Sequence, residues 1–105
     1  MNKLFLFIIL LFSLKSDRIF INTDCSFKGH KLYGKIQYVD KFPDVKVQVV
    51  DNFPDLKVQI VDNFPDKCGK WKIVKEFPDL KVQIVKSFPD IKIQYVDKFP
   101  GLNKN

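Results

Sequence analysis

One eleven-residue unit is written six times in this chain, starting at Lys35, Lys46, Lys57, Lys70, Lys81 and Lys92. Only the third copy is followed by extra residues, Cys68 and Gly69. All six prolines lie in the six Phe-Pro pairs, Phe42-Pro43, Phe53-Pro54, Phe64-Pro65, Phe77-Pro78, Phe88-Pro89 and Phe99-Pro100. Eleven residues are too few for a solenoid coil with two or three faces. Each copy therefore reads as one extended piece and one corner.

Within a copy, positions are numbered one to eleven from the lysine. Position two is Ile36, Val47, Val58, Trp71, Val82 or Ile93, and position four is Tyr38, Val49, Ile60, Ile73, Ile84 or Tyr95. Between them stands Gln37, Gln48, Gln59, Lys72, Gln83 or Gln94. This alternation, rich in β-branched residues, predicts a strand with positions two and four on one face. Position five is always Val, on the face of the Lys and Gln, so the strands are partly buried on both sides or bend after position four. Positions six to ten read Asp-Asn-Phe-Pro-Asp in the commonest form. Proline fixes its own φ near about −65° and pushes the preceding Phe toward the extended region. Asp and Asn favour turns by bonding nearby backbone. The expected unit is a strand of five or six residues and a corner whose Phe folds back over an apolar face. Position eleven is apolar again (Val45, Leu56, Leu80, Ile91, Leu102), with Lys67 the exception. No stretch carries helical spacing over two turns, so the fold class is all-β, a meander or small closed barrel with Phe-Pro corners.

The N-terminus carries Lys3, an unbroken apolar run from Leu4 to Phe12, and a break at Ser13-Leu14-Lys15-Ser16. That pattern predicts a signal peptide over residues 1–16; an uncleaved anchor is the competing reading. The run is short of the ~20 apolar residues that span a bilayer, so no membrane span is expected in the mature chain. Residues 17–34 form a divergent segment with a short strand expected at Arg18–Ile21, a loop at Asp24–His30 and Gly29 available for a turn; 35–102 hold the repeats and 103–105 a tail. Net charge is +6, and both charged residues of the leader, Lys3 and Lys15, are basic. The remaining 16 basic and 12 acidic residues are interspersed along the chain, which argues for solubility and against a nucleic-acid partner. Export to a secreted or periplasmic location makes two cysteines read as a Cys25–Cys68 disulfide. It closes a loop of about 44 residues, worth roughly 4 kcal/mol in the chain-entropy model. An intermolecular bridge and a metal site are the alternatives, although two cysteines and His30 are one ligand short of a structural zinc set.

Paired aspartates at positions six and ten, such as Asp51 with Asp55, have the look of an acid/base couple. A catalytic pair needs unlike environments, and repeated pairs have repeated ones, so turn capping is the expected role; calcium at stacked corners is the other option. The glutamines either form side-chain ladders or a solvated face. His30 has Ser26 nearby but no unique Asp partner, so it reads as a loop residue. Tyr38, Tyr95 and Trp71 sit at positions of the core type, so core packing is expected, with a sugar-stacking platform as the alternative. A unique function in a repeat protein needs unique residues, which here lie in Asp24–Gly34 and Lys67–Trp71. The candidate binding patch is His30, Lys31, Tyr33, Lys70 and Trp71, and the plainer reading is that a Cys25–Cys68 bridge pins the two segments together.

The run Lys31-Leu32-Tyr33-Gly34-Lys35-Ile36-Gln37-Tyr38-Val39, the tandem Val-Asp-Asn/Lys-Phe-Pro-Asp units, the interruption Cys68-Gly69-Lys70-Trp71 and the ending Ile93-Gln94-Tyr95-Val96-Asp97-Lys98-Phe99-Pro100-Gly101 together resemble the septoil-knot domain family. The resemblance covers Cys25 to Leu102. It implies an all-β, monomeric domain whose backbone traces a seven-crossing torus knot and which has no established activity, and it transfers no catalytic, cofactor or metal residue. General physical rules disfavour knots, so the knot belongs to the resemblance alone. With six clear copies, a seventh step is expected from the residues before Lys35. The expectation is a non-catalytic structural or stability module without a cofactor, and the alternative is an extracellular module recognising protein or glycan through Asp24–Gly34 and Lys67–Trp71. A small hydrolase is disfavoured because no nucleophile stands with a base and an orienting group.

Overall fold

The computed structural model describes residues 21–103. The expected leader, and all but Ile21 of the strand expected at residues 18–21, lie outside them. The described residues are all-β with no helix: β1 (Ser26–Phe27), β2 (His30–Lys31), β3 (Gly34–Tyr38), β4 (Val45–Val49), β5 (Leu56–Ile60), β6 (Lys70–Ile73), β7 (Leu80–Ile84), β8 (Ile91–Tyr95) and β9 (Gly101–Leu102). The loop expected at Asp24–His30 is mostly a β1–β2 hairpin. Its two turn residues, Lys28 (φ 49°) and Gly29 (φ 85°), are both left-handed, as a two-residue hairpin of the primed type requires.

Strands β3 to β8 close into a ring of parallel strands in the order β6-β3-β7-β4-β8-β5, with β5 returning to β6. This is the closed barrel of the sequence reading and not the meander, because no two strands of β3, β4 and β5 are neighbours. Each step round the ring shifts register by two residues: Ile36 pairs with Leu80, Val82 with Val45, Val47 with Ile91, Ile93 with Leu56, Ile60 with Trp71, and Trp71 with Gly34. A uniform shift of that size tilts every strand steeply against the barrel axis. Strands β3, β4 and β5 take alternate places on a first circuit, and β6, β7 and β8 fill the gaps on a second. A third step of two places would return the chain to β3. The extra residues Cys68-Gly69 fall where the step is one place instead. Gly69 is held at φ 82°, and a Cβ there would run into the Lys57 carbonyl and the Gly101 amide.

Every other connection must cross the strand lying between its two ends. Asp40 to Pro43 leave β3 on one side of β7 and enter β4 on the other, passing outside because the inside is filled. Four hydrogen bonds strap this connection to β7. Val39 N–H donates to the Val82 carbonyl (2.9 Å) and Asp44 N–H to the Lys81 carbonyl (2.8 Å). Lys81 N–H donates to Asp44 Oδ2 (2.8 Å), and Gln83 Nε2 donates to the Asp40 carbonyl (2.9 Å). The same pattern straps β8 through Asp55 and Gln94, β3 through Asp79 and Gln37, and β4 through Asp90 and Gln48. Over β5 the glutamine bond from Gln59 remains, but Gly101 at position ten has no carboxylate to offer. Only the one-place connection from β5 to β6 crosses nothing. The position-three residue of β6, the strand left without a strap, is the one exception to glutamine, Lys72.

Positions eleven, two and four point into the ring in three layers, so positions two and four do share a face. The first two layers are shut: Val45, Leu56, Leu80, Ile91, Ile36, Val47, Val58, Trp71, Val82 and Ile93 are 0–1 % exposed. Trp71 is accommodated because its Cα partner is Gly34, and its Nε1–H donates to the Leu32 carbonyl (3.0 Å). The β1–β2 hairpin plugs the end where the strands begin, with Phe27 and Leu32 joining the core. It forms a separate two-stranded sheet, so among the described residues before Lys35 none supplies the expected seventh step as a strand of the ring. At the other end of the chain β9 pairs antiparallel with β5.

Candidate functional site

The two segments that break the repeat meet as expected. Cys25 and Cys68 are joined (S–S 2.04 Å, Cα–Cα 5.7 Å). Around the bridge lies a recess of about 400 Å³ lined by Thr23, Asp24, Cys25, Tyr33, Asp66, Lys67, Cys68 and Leu102. A second recess of about 570 Å³ opens beyond Tyr33 and Asp66, toward His30, Lys31 and Gly34. Asp66 is shared by both for a topological reason. It is the position-ten aspartate of the one connection that crosses no strand, so it has no lysine backbone to clamp and stays exposed. Lys31 Nζ stands 5.7 Å from the Tyr33 ring centre, a cation–π contact at the edge of the second recess.

The expected patch is only partly assembled. His30 lies in β2 instead of a loop and, like Tyr33 and Lys70, is half-buried; Lys31 is exposed. Trp71 is fully buried and cannot line a binding surface, because position two of every copy faces the ring interior. Four of the five position-ten aspartates, Asp44, Asp55, Asp79 and Asp90, do cap backbone, but on strands of other copies and not within their own turns as expected; Asp66 is the exception. The glutamines make neither ladders nor a merely solvated row: each amide holds a strap. Among the described residues, no group of three or more His, Cys, Asp or Glu stands close enough to hold a metal.

Two further surfaces escaped the sequence reading. Tyr38 and Tyr95 are not core residues. With Val49, Ile60, Ile73 and Ile84 they form the third layer, at the mouth where the strands end, and are 38–49 % exposed. The two tyrosines come from opposite strands of the ring and meet across the mouth, hydroxyl to hydroxyl, at 3.0 Å. Desolvation, and then the hydrogen bond with Tyr95, raises the Tyr38 pKa well above the ordinary phenol range. The second surface is the set of corner phenylalanines. Phe42, Phe53, Phe64, Phe77, Phe88 and Phe99 are 79–90 % exposed and lie in the left-handed region, φ 53–59°. Both facts overturn the expectation of an extended Phe folded over an apolar face. Where a strap crosses a strand it turns back between its anchors, and that turn falls on the Phe; Phe64 keeps the same φ in the one connection that crosses nothing. Invariance through six copies whose position seven drifts among Lys, Asn, Glu and Ser was the available signal.

A family model described as "7(1) septoil knot domain" matches residues 29–103. Over 48 residues the chain is 77 % identical to a protein of Synechocystis sp. (strain ATCC 27184 / PCC 6803 / Kazusa) that is itself named as uncharacterized. That match takes in 46 % of this chain and 43 % of the relative, so the chain spans less than half the length of the curated relative it matches.

Proposed function

The chain belongs to the septoil knot domain family, and from that premise we propose that it is an exported, non-catalytic structural domain whose selected property is resistance to unfolding and proteolysis. One observation carries this reading: most of the polar side chains that the repeat places at positions three and ten are spent on holding the backbone. Five glutamine amides and four aspartate carboxylates bind main chain 37 to 44 residues away. Any of these four carboxylates could react only by giving up its clamp, leaving a strand amide without its acceptor. The Cys25–Cys68 bridge fits an oxidising compartment, and no helix of the described residues is long and apolar enough to cross a membrane. The test is proteolytic half-life of the oxidised chain, with and without reductant. Slow digestion, accelerated by reduction, is the expected result; rapid digestion of the oxidised chain would defeat the reading.

The alternative, recognition of an extracellular protein or glycan, draws its support from the recess beside Tyr33 and Asp66. Envelope extracts passed over the immobilised chain and over a Tyr33→Ala, Lys67→Ala variant separate the two readings. Retention lost only in the variant favours recognition, and equal retention removes its motive.

A further inference from the structure

Position four is aliphatic in four copies, Val49, Ile60, Ile73 and Ile84, and tyrosine in the other two. Those two copies stand opposite each other. Tyr38 ends β3 and Tyr95 ends β8, with two strands between them whichever way the ring is followed. Their hydroxyls meet across the mouth at 3.0 Å. We propose that this pair is an oxidative modification site, at which a one-electron oxidant joins Tyr38 to Tyr95 as an intramolecular dityrosine.

Access, competition and proximity all direct oxidation to this pair. The two phenols are 38 % and 40 % exposed, so a diffusing oxidant reaches them. The sulfur groups that usually intercept oxidants are out of the way: the chain's one methionine is Met1, and both cysteines are held in the bridge. The single indole, Trp71, is buried with its ring centre 6.4 Å from that of Tyr38, so an electron hole formed there can pass to the same pair. Each phenol gives up one electron and its hydroxyl proton to become a phenoxyl radical. The radicals couple through the ring carbons beside the hydroxyls, and the hydrogens on those carbons move to the oxygens as the rings regain aromaticity. In sum, two ring C–H bonds break, one Cε–Cε bond forms, and two electrons and two protons leave. Hydrogen peroxide, acting through a haem peroxidase, takes up both pairs and is reduced to two waters. Hydroxyls already in contact replace a chance encounter between radicals, which favours coupling within the chain over coupling between chains. The product ties β3 to β8 across 57 residues, at the end of the barrel where the strands finish. A cross-link of that span restricts the unfolded chain as a disulfide does. That use rests on the structural role proposed above, whereas the bond itself rests on the contact alone.

The test treats the dilute full chain with a haem peroxidase and hydrogen peroxide, and reads intact mass and a peptide map. A parallel reaction with free tyrosine shows that the oxidant is active, and a thermal melt confirms that each variant folds. The monomer is expected to lose the mass of two hydrogens and to give one linked peptide joining Tyr38 to Tyr95. Tyr38→Phe and Tyr95→Phe should each lower the yield of linked monomer by at least ~tenfold, because the partner in contact is gone. Tyr33→Phe removes the remaining tyrosine and should leave the yield unchanged. An unlinked monomer where free tyrosine couples, a link made through Tyr33, or a link that survives Tyr95→Phe would each overturn the proposal. Mass registers the bond whether or not the chain resists protease, so failure here and failure of the structural reading are told apart.

Discussion

The strap's turn makes Phe53 left-handed, but folding alone does not ask for an aromatic side chain there that is 84 % exposed. A left-handed L-residue costs roughly 1–2 kcal/mol relative to glycine, and strain retained without packing in return points toward use at the surface. Phe53→Gly should therefore hold the urea midpoint to within about 1 kcal/mol, relief of strain offsetting the looser unfolded chain. A Phe that packed into a core would cost 3–5 kcal/mol by contrast, roughly. Among the glutamines, Gln83→Leu should cost about 1 kcal/mol through the lost strap bond, whereas Lys72→Leu should stay within about 0.5 kcal/mol; chemical denaturation measures both. Tyr38 adds a pH signature. Its folded pKa lies above the ordinary value of about 10, so its contribution is fully present below about pH 10 and fades as pH rises through the folded value. Denaturation midpoints followed into alkali should show that loss in the native chain and not in Tyr38→Phe. The sequence displayed the exception at residue 72 plainly. It could not say why, because the strand beneath each strap follows from ring order, which no local pattern encodes.

The strand elements were legible because an apolar residue at every second position requires a buried face, and the structure places the four- or five-residue strands of the ring where that alternation lies. What misled at this scale was the limit of the core. Positions two and four look alike in composition, yet it is the position-eleven residues Val45, Leu56, Leu80 and Ile91 that join position two in being shut, since the barrel is plugged at the end where strands start. Trp71 belongs to that shut layer, where its indole stands opposite Gly34 and is tied to Leu32. Trp71→Ala should cost about 3–5 kcal/mol, read as a shift in the denaturation midpoint. Phe-Pro-Asp reads as a turn and forms one, but the position-ten aspartate serves a strand of another copy and not its own turn. Asp90→Ala should lose about 1–2 kcal/mol by stranding the Lys46 amide it accepts from at 2.8 Å. Asp66→Ala, one position-ten aspartate with no lysine to clamp, should change stability by less than about 0.5 kcal/mol.

Taken as one molecule, the ring has a property that neither the repeat nor the strand reveals. All six ring pairings join a first-circuit strand to a second-circuit strand: β3 with β6 and β7, β4 with β7 and β8, β5 with β8 and β6. Neither circuit can form any of its sheet alone, although each is made of three nearly identical copies. Contacts this distant in sequence also mean slow folding, since the loops must close before any ladder is rewarded. Most repeat proteins are quasi-one-dimensional and open unit by unit; this one should not. Native-state hydrogen exchange of the strand amides tests that claim most directly. One common opening free energy across β3 to β8 is the expected result, and separate protection levels for β3–β5 and for β6–β8 would contradict it.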